Sequence, residues 1–242
     1  MELVGSVLSW FSASAQWSGP DSIPVQLAGH LALAGSALAV GGLIALPIGL
    51  AIGHSGRGAL AVVVLANIGR AVPSIAILGI AFPLTLELGL GFGFAPTVIA
   101  LTALAVPPIV TNTYAALQGV DRDLLEAGRA MGMREGQLLA RVELPIALPL
   151  IIAGVRTSAV QVVATATLGA IVSADCLGFF ILKGIAVRDM AEVVAGALMV
   201  ATLALATEGA FAVTARLLAP RGWAAGWAAA PTPGPKADAP TA

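Results

Sequence analysis

The chain has 242 residues, of which 58% are hydrophobic and 10% charged, with a mean hydropathy of +0.96. Soluble domains carry charge on about a quarter of their residues, so this composition excludes one and describes an integral membrane protein. A net charge of −1 without a basic tail gives no footing for nucleic acid, and the single cysteine, Cys176, excludes an internal disulfide framework and a cysteine-built zinc site.

Residues 1–28 contain no Lys or Arg, so the basic start of a secretory signal peptide is missing and the segment is expected to be retained as an extracytoplasmic, interfacial stretch. Leu3, Val7, Leu8, Trp10 and Phe11 are expected along the membrane surface, and Ser18, Gly19, Pro20 and Asp21 break the chain before the first span. Trp10, Trp17, Trp223 and Trp227 all lie in the terminal regions, where tryptophans anchor at interfaces. The first span reads from His30 to Ile52, enough for a hydrocarbon core of roughly 30 Å. Gly35, Gly41, Gly42, Gly49 and Gly53 let neighbouring helices approach it closely, and Pro47 bends it. His30 and His54 flank it as interfacial polar residues; no Asp, Glu or Cys stands at ligand spacing, so no metal site is expected.

Apolar character then runs from Ala59 to about Leu86, too long for one straight crossing, with an interruption at Asn67, Gly69, Arg70, Pro73 and Ser74. This predicts one discontinuous or strongly kinked span, or two short ones, because Pro73 removes a backbone donor and disfavours helix at Val72. Arg70 is too costly to face lipid and either lines a pathway or snorkels to the cytoplasmic surface. A loop with Glu87, Gly89, Gly91 and Gly93 follows. The third span, Pro96 to Leu117, holds Pro107 and Pro108, which free backbone carbonyls at mid-helix. Thr111, Asn112, Thr113 and Tyr114, one turn later, either satisfy such carbonyls or line a passage. Arg70, Ser74, Thr111, Asn112 and Tyr114 are the candidate pathway residues.

Asp121 to Pro145, DRDLLEAGRAMGMREGQLLARVELP, is the longest polar segment between apolar runs and carries four of the twelve basic residues. Asp121 is a good N-cap, Asp123 suits the positive helix start, and Leu124, Ala127, Gly128 and Met131 share one face at spacings of three and four. Gly132 is suited to the left-handed backbone that ends such a helix. A second short helix, roughly Arg134 to Val142, is expected to stop before Pro145. Glu126-Ala127-Gly128, three residues, Gly132, nine residues, then Val142-Glu143-Leu144-Pro145 resembles the EAA loop of ABC importer permeases at every spacing, with Gly128 for the second Ala and Val142 for Ile. The resemblance implies a coupling helix seated in a groove of a cytoplasmic ABC ATPase subunit, with Leu124, Glu126, Ala127, Gly128, Met131, Gly132, Leu144 and Pro145 as coupling residues. It also implies the all-α type I importer permease fold, with about five core transmembrane helices, or six if the second span counts twice. RAVPSIAILGI and PPIVTNTYAALQGVDRDLLEAGRAMGM resemble the osmoprotectant, or quaternary-amine, branch, which imports glycine betaine, choline or carnitine; Thr111 departs from it where an Arg is frequent.

The fourth span is expected over roughly Leu148 to Ala174. Arg156 near its cytoplasmic start is either an anchor that pairs with Glu143 or a phosphate or a participant in transport chemistry, and Thr157, Ser158, Thr165, Thr167 and Ser173 suit contacts at a dimer seam. ADCLGF stands where relatives carry a Gly-Gly-Leu-Gly turn, so outer-gate detail does not transfer to Asp175 and Cys176. A polar re-entry from Lys183 to Glu192 precedes the last span, Val193 to Leu217, in which Glu208 is expected to be hydrogen-bonded near the inner surface or to face a partner helix or a wet cavity. Residues 29–218 thus read as the permease domain and 219–242, rich in Ala, Pro and Gly, as a disordered cytoplasmic tail.

With five spans and the N-terminus outside, Arg57, Arg122, Arg129, Arg134, Arg141, Arg216, Arg221 and Lys236 fall inside and only Lys183 and Arg188 outside. That bias obeys the positive-inside rule and predicts a cytoplasmic loop 121–145 in a bacterial inner membrane. No G-x-x-x-x-G-K-[ST] sequence and no Ser/His/Asp or Cys/His constellation occurs, so neither an ATPase site nor another catalytic centre is expected here. The reading is a permease, without cofactor, that works with a separate ATPase, a separate substrate-binding protein and a second permease subunit. The alternatives are a permease for another small solute such as methionine, and a self-contained secondary transporter using Arg70, Asn112 and Glu208.

Overall fold

The computed structural model describes residues 2–218, apart from the side chains of residues 59, 63, 65, 70 and 215–218. Among these residues the chain forms ten α-helices: α1 (Glu2–Ser12), α2 (Ile23–Ser55), α3 (Ala59–Ala71), α4 (Ser74–Glu87), α5 (Phe94–Gln118), α6 (Arg122–Ala130), α7 (Glu135–Leu138), α8 (Leu144–Thr165), α9 (Gly178–Val187) and α10 (Met190–Leu218). A π segment, Leu139–Glu143, joins α7 to α8, and a 3-10 segment, Ala166–Val172, continues α8. The expected tail, 219–242, with Trp223 and Trp227, lies outside the described residues.

Helices α2 and α5, the run Glu135–Val172 and α10 are each long and apolar enough to cross a membrane. The pair α3 and α4, bent by 86° between its halves, makes a fifth where it is counted as one broken span. Its break falls at residues 72–73, where the proline rule places it. α5 is the hub, packed by α2, α3, α4 and α8. The glycines of α2 explain the closest of these contacts. A Cβ on Gly41, Gly49 or Gly53 would lie 2.9, 2.6 and 2.9 Å from the Cβ atoms of Ala105, Thr113 and Leu117 on α5, whereas Gly35 and Gly42 face open space. Around this seam Leu33, Ala37, Leu101, Ala105 and Val162 are almost fully enclosed.

Four expectations need correction. First, α2 starts at Ile23, well before His30, so His30 is no interfacial flank. It is completely buried, its Nε2 2.9 Å from the Val163 carbonyl while its Nδ1 accepts from the Leu177 N–H, and Gln26 one turn earlier accepts from the Cys176 N–H. These polar groups stay in the bundle because the turn at 173–177 offers backbone groups that need partners. Second, the N-terminal apolar residues do not all lie along a surface. Val7 and Trp10 are buried in a cluster with Phe180 and Leu177, and the Trp10 and Phe180 rings meet edge to face at 5.4 Å. Trp17 is exposed and donates Nε1–H to the Phe11 carbonyl.

Third, the second coupling helix does not stop before Pro145. Instead α7 runs through the π segment into α8, with the Leu144 N–H reaching back to the Leu139 carbonyl. A widened turn tolerates the donor that Pro145 lacks, so the proline marks the head of α8 and not the end of a helix. Fourth, the polar re-entry is largely helical. Lys183 lies on α9, which ends in a left-handed Arg188, and its ammonium is 2.9 Å from the buried Glu192 of α10.

Candidate functional site

One end of the bundle gathers the C-terminus of α2, the end of α5, α6, α7 and the head of α8. Gln118 donates to the Gly53 carbonyl at 2.7 Å and so ties the ends of α5 and α2 together. From there Asp121 caps α6 through the Asp123 N–H at 2.9 Å, and the helix ends at Gly132 with φ of +81°, as the sequence predicts. A side chain at that left-handed position would be strained.

The four residues assigned to one face of α6 divide. Leu124, Ala127 and Met131 are exposed, with Leu124 at 50% and Met131 at 77%. Gly128 is buried, and a Cβ there would lie 2.7 Å from Leu138 Cδ1. The second Ala of the EAA pattern is therefore a glycine where α6 crosses α7 at close range, and Gly128 serves packing within the loop. The other three leave an apolar, uncovered strip on a short helix that also exposes Arg122, Asp123, Glu126 and Arg129. Leu144 is half-buried against Ala116, Leu117, Ala147 and Ile151, and Pro145 is exposed.

Behind the strip runs a chain of ionic contacts. Arg129 of α6 clamps Glu135 of α7 through two hydrogen bonds of 2.9 and 3.1 Å. The clamp holds the Glu135 carboxyl below the usual carboxylate range and pushes the Arg129 guanidinium up. Glu135 also lies 3.4 Å from Nε2 of His54, whose Nδ1 is 2.7 Å from Glu143 in the π segment. Glu143 is 2% exposed, and its partner is His54 rather than Arg156. Together with Gly53, Gln118, Arg122, Glu126 and Arg129, His54 and Glu143 line a polar cleft of about 350 Å³. Sequence reasoning missed this chain because His54 lies eighty-nine positions from Glu143 with no spacing rule to connect them.

The candidate pathway residues are dispersed along the spans. Ser74 opens α4 after the break, and the side chain of Arg70 lies outside the described residues. Thr111 and Asn112 donate to the carbonyls of Pro107 and Pro108 at 2.9 and 2.8 Å, so these polar groups satisfy carbonyls one turn back. Tyr114 is half-buried at the edge of the cluster formed by Ala45, Ile52, Ile109 and Val110. Arg156, expected beside Glu143, donates Nε–H to Glu208 of α10 at 2.8 Å. Asn112 is thus bonded within its own helix and Glu208 to Arg156. Among the described residues no group of three or more His, Cys, Asp or Glu side chains is arranged to hold a metal ion.

A bundle of apolar spans with a polar helix, corner and helix at one end defines a multi-pass membrane transport component. Residues 25–221 match the family described as the inner membrane component of binding-protein-dependent transport systems, and the chain belongs to that family, the permeases of ABC importers. It is 36% identical over 193 residues to the glycine betaine/carnitine/choline transport system permease protein OpuCB of Bacillus subtilis strain 168, covering 80% of this chain and 87% of that one. A carnitine transport permease protein OpuCB of Listeria monocytogenes is 38% identical over 197 residues, covering 81% and 88%. The osmoprotectant import permease protein OsmW of Salmonella typhimurium strain LT2 is 36% identical over 193 residues, covering 80% and 90%. Among solved structures, an inward-facing MetNI methionine ABC transporter superposes with a TM-score of 0.71 at 24% identity, covering 79% of this chain and 94% of that one. An amino acid ABC transporter with histidines gives a TM-score of 0.66 at 18% identity, covering 87% and 97%. At those identities the solved structures speak for the fold alone.

Proposed function

We propose that this permease carries a small osmoprotectant such as glycine betaine, choline or carnitine across a bacterial inner membrane, after delivery by a separate binding protein and driven by a separate cytoplasmic ABC ATPase. The observation that carries the coupling role is the uncovered strip of Leu124, Ala127 and Met131, held by the Gly132 corner at the end of a bundle that is otherwise apolar. The substrate class is supported by relatives whose names are those of betaine, choline, carnitine and osmoprotectant permeases, at 36–38% identity. The methionine alternative has support only at the level of fold.

In this reading the N-terminus is outside, and the loop 121–145 and the C-terminus are cytoplasmic. Two permease subunits form the passage. Leu124, Ala127 and Met131 fill the ATPase groove, Glu126 pairs with a basic residue of its rim, and Gly132 permits the corner. Closure of the ATPase pair pushes α6. The Arg129–Glu135 clamp carries α7 with it, and the continuous α7–α8 run, latched to α2 through His54 and Glu143, tilts the spans between inward-open and outward-open states.

A pull-down of the tagged chain from solubilised native membranes should recover a P-loop ATPase and a binding protein. Gly132→Asp should insert normally but lose the ATPase. Wild-type ATPase recovery by that variant would overturn the coupling assignment, and ATP-independent transport by the chain alone would overturn the importer reading.

A further inference from the structure

The Arg156–Glu208 pair has no place in the coupling machinery. Its two side chains remain 37% and 40% exposed on the chain. At a rise of about 1.5 Å per residue, Arg156 lies ~18 Å from the first residue of α8 and Glu208 ~27 Å from the first residue of α10. Both positions thus fall well inside helical runs long and apolar enough to cross a membrane, and within such a span charged side chains face protein or water and not lipid.

The adjoining face of α8 has the same character. Thr157 and Gln161, one turn apart, are exposed. The Thr157 hydroxyl turns back to the Ala153 carbonyl of its own helix. Asn67 of α3 and Thr202 of α10 are exposed as well, but large apolar side chains are exposed elsewhere on the spans: Leu43 and Ile44 on α2 at 77% and 45%, Ile80 on α4 at 71%, and Leu205 on α10 at 72%. Such side chains suit lipid; an ion pair flanked by a hydroxyl and a primary amide does not. A dry seam would have to desolvate both charges as well as the Gln161 amide before any new hydrogen bond is made.

We propose that the Arg156–Glu208 pair and the α8 face carrying Thr157 and Gln161 line the wet passage through which the solute crosses. The proposal rests on the importer reading and adds a chemical preference. A solute bearing both a carboxylate and a quaternary ammonium meets Arg156 and Glu208 as a matched pair of charges, and each charge of the protein keeps a partner as the solute passes.

The sole cysteine makes the test direct. In a Cys176→Ser background, with the permease reconstituted together with its ATPase and binding protein, single cysteines replace Thr157, Gln161 and Leu43. Thiols ionise and react in water, so the first two should react with a hydrophilic thiol reagent at least ~10-fold faster than the third, and saturating glycine betaine should slow them. Reaction as slow as at Leu43→Cys would overturn the proposal, as would a disulfide between two copies through Gln161→Cys without labelling. Gln161→Leu, at an exposed site that does not disturb the core, should assemble normally and lose most uptake; full uptake from a face that labels fast would remove it from the passage. ATP-driven uptake by the cysteine-free parent in the same vesicles tests the importer reading separately.

Discussion

Glu143 illustrates how one side chain fixes the register of a bundle. Its carboxylate is 2% exposed and sits where the chain re-enters the apolar spans, so it must be paired. His54 supplies the pair at 2.7 Å from the last turn of α2, where a histidine also answers the negative end of the helix. Removing the histidine alone leaves the carboxylate buried and uncompensated, so His54→Ala should cost about 2–3 kcal/mol. Glu143→Gln keeps a hydrogen-bond acceptor and should cost under about 1 kcal/mol. Unfolding midpoints of the purified permease in detergent separate the two. Equal losses would mean that packing, and not charge, holds this corner. Neither partner was legible in advance. His54 reads as the polar edge of a span and Glu143 as a loop residue, and only the three-dimensional return of the coupling segment to α2 joins them.

Arg129 of α6 and Glu135 of α7 bridge the Gly132 corner. Arg129 depresses the Glu135 carboxyl, so the contribution of the clamp is complete above the ordinary carboxylate range of about 4.3 and is lost as pH falls through the lowered value. Both groups are exposed, and salt screens the pair. In pull-downs over a pH series, the difference in ATPase retention between wild type and Glu135→Gln should be constant from pH 8 to 5 and shrink only below that range. A difference that disappears near neutrality would assign the effect to another group.

At this scale much was readable from the sequence: the Asp121 cap, the Gly132 corner, the extent of α5 and the break at Pro73 each follow from a residue with one strong backbone preference. The unbroken run from α7 into α8 was not readable, because a proline normally ends a helix and nothing local announces a π turn. Nor was α9, whose ten residues are too few for a span and whose end is set by Arg188 in a left-handed conformation that sequence rules reserve for glycine.

For the whole molecule, contacts between chain ends count the crossings. His54 at the end of α2 touches Glu135 and Glu143, so α2 finishes at the end that carries α6 and α7. A Cβ on Gly93 would lie 2.9 Å from the Ser173 carbonyl, so α5 begins and the α8 run finishes at the opposite end. Whatever path α3 and α4 take between residues 56 and 93, they carry the chain across once. Adding α2, α5, the α8 run and α10 gives an odd number of crossings. The end with α6 and α7 then holds Arg57, Arg122, Arg129, Arg134 and Arg141, against Lys183 and Arg188 opposite, and an asymmetry of this kind predicts that the α6–α7 end faces the cytoplasm. Single cysteines at Gly91 and Asp121 in the Cys176→Ser background provide the check in intact cells whose outer barrier is permeable to a membrane-impermeant thiol reagent. Gly91→Cys should react at once and Asp121→Cys only after the inner membrane is opened. The reverse pattern would turn the permease over and put its apolar coupling strip on the side without ATP, which no ATP-driven mechanism survives.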